Sequence, residues 1–173
     1  MSQEREFIPL KIAVLTASDS RDESNDKSGD LLVRLLTESG HAVFEKTIVP
    51  DDKYRIREVL SRWIVDEECQ VVLTTGGTGV TGRDGTPEAV APLLDKQIEG
   101  FGETFRSLSY ENIGTSTLQS RALAGVANGT YIFCLPGSSG ACKDAWTLLI
   151  NAQLDYRTRP CNLVELMPRL REV

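Results

Sequence analysis

At 173 residues the chain is long enough for a single domain with a sizeable core, and residues 1–7 are expected to form a polar N-terminal tail. Its 40% hydrophobic and 25% charged residues are ordinary for a globular protein, and a net charge of −6 argues against nucleic acid and anionic membranes as partners. No apolar run approaches the roughly 20 residues that span a bilayer, and Met1 to Glu6 lack the apolar core of a signal peptide, so the expected location is cytoplasmic.

Leu10 to Ala17 is short, apolar and β-branched, the pattern of a buried parallel strand. A polar loop from Ser18 to Ser28 follows, and Ser28 is expected to cap a helix with Leu31, Leu32, Leu35 and Leu36 on its apolar face and a stop at Gly40. A second strand is expected from Ala42 to Val49. Asp51 or Asp52 then caps a helix over Lys53 to Glu67, and a third strand runs from Gln70 to Thr75. This β-α-β-α-β order, with right-handed crossovers, implies an α/β fold with helices on both sides of a sheet.

Further helices are expected at about Pro87 to Asp95 and Gly102 to Ser109. Asn128-Gly129 is a hairpin signal joining Arg121 to Ala127 with Thr130 to Leu135, so the mostly parallel sheet should contain one antiparallel strand. Pro136-Gly137-Ser138-Ser139-Gly140 then leads into a helix with Ala145, Trp146, Leu148 and Leu149 on its apolar face. Trp63 and Trp146 read as core, and His41 as an ordinary surface or boundary residue. Phe101, Phe105, Leu108, Tyr110, Ile113 and Leu118 carry more apolar surface than one small helix buries, which points to a subunit interface.

Between the third strand and the next helix lie residues 76–85, of which Gly76, Gly77, Gly79, Gly82 and Gly85 are glycine. Such a loop lets backbone N–H groups approach an anion, and phosphate is the expected ligand. Gly77 to Gly82 satisfies G-x-G-x-x-G, but the helix signal comes only at Thr86-Pro87-Glu88, beyond the glycines. It also has P-loop spacing, but Arg83-Asp84 stands where Lys-Ser/Thr is required, so neither motif is accepted. Asp84 is either a turn residue or a carboxylate that meets phosphate through a cation.

Ligands of such sheets bind outside the carboxyl ends of the strands, which brings the loops at Ser18 to Ser28, Pro50 to Asp52, Gly76 to Gly85 and Pro136 to Gly140 to one pocket. Cys69, Cys134, Cys142 and Cys161 lack C-x-x-C spacing and read as reduced thiols, mostly in the core. With His41 the only histidine, catalysis falls to carboxylates, hydroxyls and a hard metal ion.

Thr74-Thr75-Gly76-Gly77-Thr78-Gly79, Arg83-Asp84, Thr86-Pro87-Glu88 and Leu135-Pro136-Gly137 resemble the molybdopterin-binding family of MoaB, MogA and the gephyrin G domain, from about residue 8 to residue 163. Gly100-Phe101-Gly102-Glu103, residues 113–122 and Arg157-Thr158-Arg159-Pro160-Cys161-Asn162 are similar to its MoaB branch. The resemblance implies a three-layer α/β/α sandwich, a trimer or dimer of trimers, and contact with other molybdenum cofactor synthesis enzymes. It implies binding of molybdopterin, a pterin with a dithiolene and a terminal phosphate, and adenylylation of that phosphate by Mg-ATP, with GTP as the alternative nucleotide.

By the same resemblance Asp51 and Asp84 hold Mg²⁺ and carry catalysis. Thr75, Gly76, Gly77, Thr78, Gly79, Ser18, Asp19, Ser20, Ser28, Glu88, Ser120, Pro136, Gly137 and Ser138 bind substrate, and Arg21, Arg83 and Arg121 offset phosphate charge. Asp51 is alternatively only a helix cap. Active members carry a second proline soon after the Pro-Gly turn, where this chain has Ser138-Ser139, so a binding protein without chemistry is the rival reading; an NAD(P)-dependent oxidoreductase is a third.

Overall fold

The structure, a computed structural model, describes residues 4–173. Six strands form one sheet in the order β2-β1-β3-β6-β5-β4. They are β1 (Lys11–Ala17), β2 (Ala42–Val49), β3 (Val71–Thr75), β4 (Lys96–Gln97), β5 (Leu123–Ala127) and β6 (Thr130–Leu135). β2, β1, β3 and β6 pair in parallel, whereas β5 is antiparallel to both β6 and β4, so β5 alone runs against the rest. Asn128 and Gly129 turn the β5–β6 hairpin with φ of 47° and 80°, the left-handed pair that matches strand twist.

Alternation along the strands divides the core into two layers. Ile12, Val14, Leu73, Tyr131 and Phe133 point to one face, under α1 (Lys27–Glu38), α4 (Glu99–Ile113) and α5 (Ser139–Ala145). Ala13, Leu15, Val72 and Ile132 point to the other, under α2 (Lys53–Val65) and α3 (Thr86–Val90). The result is the three-layer sandwich expected from the β-α-β order. Both tryptophans are core: Trp63 on α2 and Trp146 just past α5 are fully buried. Cys69, Cys134 and Cys142 are buried thiols and Cys161 is exposed.

Several elements differ from expectation. α1 is capped by Asp26, which accepts the Gly29 N–H at 3.2 Å, and Ser28 lies buried inside the first turn. α3 stops at Val90 because Pro92 cannot donate to an α-helical ladder, and Ala91–Leu93 tightens into a 3-10 turn. α4 is 15 residues long and continues, past Gly114 at φ 54°, into a 3-10 helix over Gly114–Gln119. Ahead of α4, β4 adds a strand of only two residues at the sheet edge, which the expected elements did not include.

The helix after the second Pro-Gly turn changes register. Trp146–Ile150 is π-helical, which adds one residue to the turn, so Ile150 joins Ala145 and Trp146 in the core, Leu149 packs half-buried against it as expected, and Leu148 is 52% exposed. The helical run ends with α6 (Asn151–Gln153), and α7 (Leu163–Leu166) covers the Tyr131 end of the sheet through Val164.

His41 is buried, not at the boundary: Gly40 turns inward at φ 94°, and the ring sits 5.0 Å from Phe7 and edge-on to Trp146. Its Nδ1 accepts the Leu10 N–H at 3.1 Å. Of the expected polar tail, residues 1–3 lie outside the described residues. Arg5 is anchored by Glu165 at 2.6 Å, and Phe7 packs on His41. Among the described residues no helix is long and apolar enough to cross a membrane.

Three strand ends meet where the pocket forms. Gly76 leaves β3 at φ 98°, donates its N–H to the Leu135 carbonyl at 3.1 Å, and has no room for a Cβ, which would collide with the Ala17 carbonyl at the end of β1. Gly137, after β6, would place a Cβ 3.3 Å from the Gly76 Cα. Gly76→Ala is therefore expected to lower stability by more than ~2 kcal/mol in urea unfolding. Gly82→Ala, where a Cβ meets nothing within 4 Å, should change it by less than about 0.5 kcal/mol.

Candidate functional site

The loops that the sheet brings together are locked by backbone contacts before any side chain is considered. Ser18 N–H donates to the Val49 carbonyl at 2.9 Å, tying the loop after β1 to the end of β2. One step on, Asp19 and Asp51 exchange hydrogen bonds: Asp51 N–H donates to Asp19 Oδ1 and Asp19 N–H to Asp51 Oδ2, each at 3.0 Å. Asp52, not Asp51, caps α2, accepting the N–H groups of Tyr54 and Arg55 at 2.9 and 3.0 Å. Asp51 is thus free of the capping role and is held at the mouth of the glycine loop.

Gly77 takes φ 70°, and a Cβ there would lie 3.3 Å from Asp51 Oδ1. On the far side of the loop, a Cβ on Gly79 would run into the Asp84 carboxylate. The two aspartates therefore flank the same short ridge of glycine backbone. Their electrostatics diverge. Burial pushes the Asp51 carboxyl above its usual range, the Asp19 and Asp84 charges add to the shift, and the Asp19 N–H opposes it. The Thr81 hydroxyl, 2.6 Å from Asp84 Oδ2, holds Asp84 below its usual range, with help from the Thr81 and Gly79 backbone and the Arg121 charge.

Behind the ridge, Thr86 closes the loop, its N–H to the Gly77 carbonyl at 3.0 Å and its hydroxyl to the Gly76 carbonyl at 2.8 Å. α3 opens here, beyond the glycines, so the geometry needed for dinucleotide binding is not formed. Thr75 is fully buried and donates to the Pro136 carbonyl at 2.9 Å, which joins β3 to the second Pro-Gly turn.

A cavity of about 380 Å³ lies along this ridge. Its loop side is Gly77, Thr78, Gly79 and Asp84, and its end is Pro136, Gly137, Ser138 and Ala141. The opposite wall is Phe105, Ser109 and Ile113 of α4 with Ser116, Gln119 and Ser120 of the 3-10 segment. Ser120 lines this cavity, and its Oγ is buried without a hydrogen-bond partner. The α4 wall escaped the sequence reading because α4 was expected to end at Ser109. The visible signal was the unbroken run from Phe101 to Ile113 before Gly114.

The expected residues fall into two groups. Gly77, Thr78, Gly79, Asp84, Ser120, Pro136, Gly137 and Ser138 line the cavity, and Asp51 stands beside it. Ser18, Ser20, Asp19, Ser28, Thr75, Gly76 and Glu88 do not line it. Ser18 Oγ accepts the Ser20 and Arg21 N–H groups, Ser28 is bound to Arg21, and Glu88 is paired with Arg121. These residues build the frame.

The three expected phosphate-binding arginines are also engaged. Arg83 forks onto both Asp19 oxygens at 2.8 Å, Arg21 reaches the Gly137 carbonyl at 2.8 Å, and Arg121 donates to the Gly79 carbonyl at 2.8 Å while pairing with Glu88. Among the described residues no group of three or more His, Cys, Asp or Glu is arranged to hold a metal ion. A pair of carboxylates beside a phosphate cradle nevertheless suits Mg²⁺, which commonly takes one or two carboxylates and completes its shell with phosphate oxygens and water.

A family model described as "Probable molybdopterin binding domain" matches residues 13–156. The "Molybdenum cofactor biosynthesis protein B" of Escherichia coli K12 is 57% identical over 157 residues, covering 91% of this chain and 92% of its own. A crystal structure of a molybdenum cofactor biosynthesis protein B superposes with a TM-score of 0.84 at 46% identity, over 87% of this chain and 94% of that one. The tungsten cofactor synthesizing protein MoaB from Pyrococcus furiosus gives 0.74 at 40% identity, over 82% and 90%.

The neighbouring aspartates 51 and 52 are expected to separate by measurement. Asp52→Ala removes a cap and should lower the Tm by about 2–4 °C. Asp51→Asn should raise it at pH 7. A carboxyl whose folded pKa lies above its unfolded value loses stability as pH rises through that window, and the neutral amide has no such loss. The gain should vanish below the carboxylate range, where Asp51 is itself protonated; calorimetric scans at pH 3 to 7 check both signs.

Proposed function

The chain belongs to the molybdopterin-binding domain family, and from that premise we propose that it acts in molybdenum cofactor biosynthesis, binding molybdopterin and adenylylating its terminal phosphate with Mg-ATP. The observation that carries the reading is the release of Asp51 from capping by Asp52, which leaves two carboxylates on either side of one glycine ridge. A binding protein would need the cradle but not the second carboxylate.

In this reading the cavity takes the pterin, with Ser120 in its wall and Phe105 and Ile113 covering its apolar face. The terminal phosphate lies on the N–H groups of the glycine ridge. One of its oxygens attacks the α-phosphorus of the nucleotide, a new P–O–P bridge forms, and the bond to the β-phosphate oxygen breaks with its electron pair leaving on pyrophosphate. No base is required, because a phosphate monoester with a second pKa of about 6 already presents an ionised oxygen at neutral pH. Mg²⁺ arriving with the nucleotide would be held by Asp51 and Asp84 and would neutralise the charge on the leaving group. The protein's own part is alignment: the Asp19–Asp51 exchange fixes one carboxylate, and Thr81 fixes the other.

We assign the homo-oligomer contact, a trimer or dimer of trimers, to the exposed edge of α4 and the 3-10 segment, where Tyr110 and Leu118 are 56% and 80% exposed. Leu118→Glu should shift the mass in sedimentation to that of a monomer, and an unchanged mass would move the interface elsewhere.

Pyrophosphate release from Mg-ATP, with and without molybdopterin, tests the reaction. Molybdopterin-dependent release that falls at least about 100-fold in Asp84→Asn is the expected result. Tight pterin binding without release by the native protein would make it a carrier, the reading favoured by Ser138-Ser139 after the Pro-Gly turn.

A further inference from the structure

Adenylyl transfer brings a highly charged polyphosphate to a protein whose own net charge is −6. The arginines nearest the glycine loop do not meet that need. Arg83 is forked onto Asp19, Arg121 is held by Glu88 and the Gly79 carbonyl, and Arg21 by Ser28 and the Gly137 carbonyl. Each is part of the frame, and withdrawing it would unlock a loop.

Unengaged positive charge is gathered one step away. α1 and α5 border a groove of about 570 Å³ that carries Lys27, Arg34 and Lys143, with Ser139 and Gly140 at its end. Ser138 lines the pterin-sized cavity and Ser139 the groove, so the two spaces adjoin across one turn of chain. Lys27 and Lys143 have no ion-pair partner among the described residues, and Arg34 has only a long contact of 3.9 Å to Glu38. The groove's single carboxylate, Asp30, is taken by Lys46 at 2.8 Å.

Lys27 is also the first residue of α1, where the positive end of the helix dipole disfavours a cation. Three like charges border the groove and repel one another, and the one carboxylate beside them, Asp30, is engaged by Lys46. An anion in the groove would turn each of those repulsions into attraction.

We propose that this groove binds the pyrophosphate portion of the nucleotide through Lys27, Arg34 and Lys143. The assignment rests on the adenylyl-transfer reading for the identity of the ligand, and on the groove alone for its chemistry, which is that of any diphosphate. The nucleotide then lies across the Ser138-Ser139 turn, its α-phosphate facing the glycine ridge and its β- and γ-phosphates over α1 and α5. Serines in that turn, where a second proline would stiffen it, leave N–H and hydroxyl donors along the polyphosphate path.

Calorimetric titrations of the full-length protein with inorganic pyrophosphate, Mg-ATP and AMP at ~100 mM salt test the groove. Lys27→Ala/Lys143→Ala should weaken pyrophosphate and Mg-ATP at least about tenfold and leave AMP unchanged, while Lys27→Arg/Lys143→Arg should keep most of the affinity. Both side chains are exposed, and an unchanged Tm confirms the fold of each variant. Failure of the native protein to bind pyrophosphate, or equal binding by the alanine variant, overturns the proposal. Binding through these lysines without any molybdopterin-dependent release from ATP would keep the groove and sink the adenylyl-transfer reading. Undiminished release by the alanine variant would do the reverse.

Discussion

The ends of β1, β3 and β6 meet so closely that Ala17, Gly76 and Gly137 can be joined only if no side chain intrudes. The Gly76 N–H is bonded to the Leu135 carbonyl, and a methyl group on Gly76 would strike the Ala17 carbonyl. Everything above that contact is placed by it. The loop after β1 carries Asp19, the loop after β2 carries Asp51, the glycine ridge carries Asp84, and the turn after β6 carries Ser138. These residues are far apart in the chain and adjacent in space because three strand ends are in backbone contact. The sheet order makes the same point from a distance: β1 lies between β2 and β3, so the chain leaves it in opposite directions and a crevice opens at the divergence.

Charge in the site is arranged in two tiers. Buried or interlocked pairs, such as Asp26 with Lys46 at 3.2 Å and Arg83 with Asp19, hold loops in register and are not available to a ligand. Under the proposed function, a ligand would meet backbone N–H groups, a few hydroxyls, two aspartates and the cations of the α1–α5 groove. Internal pairing explains why arginine position in sequence was a poor guide to arginine function here. A guanidinium with five donors is well suited to bracing several carbonyls and carboxylates at once, and Arg121 does so across Gly79 and Glu88.

Much of this was legible in the amino-acid sequence, and the exceptions have physical causes. The strands, their alternation and the Asn128-Gly129 hairpin follow from local pattern, and the convergence of four loops follows from topology. The two alternatives for the α2 cap could not be separated by pattern, because Asp51 and Asp52 are equivalent in type; the fold chose Asp52 when Asp19 engaged its neighbour. The α4 wall was missed because the helix was expected to end at Ser109, whereas it runs on to Ile113 and stops at Gly114, at φ 54°. His41 was misplaced because its burial is created by Phe7 and Trp146, residues distant in sequence. The π turn at Trp146–Ile150 leaves no mark in apolar spacing until the helix register is seen to slip.

A ligand surface made largely of main chain has an evolutionary consequence. Amides of the glycine ridge offer the same donors whatever residue is encoded nearby, and the positions that shape them tolerate almost no substitution. Selection for a different pterin, a different nucleotide or resistance to an inhibitor would therefore find little purchase there. Variation has to enter through the facing wall, where Ser109, Ser116 and Gln119 can change identity without disturbing the strand ends. Under the proposed function, the chain would divide its labour between an anion cradle frozen by geometry and a helical wall left open to drift.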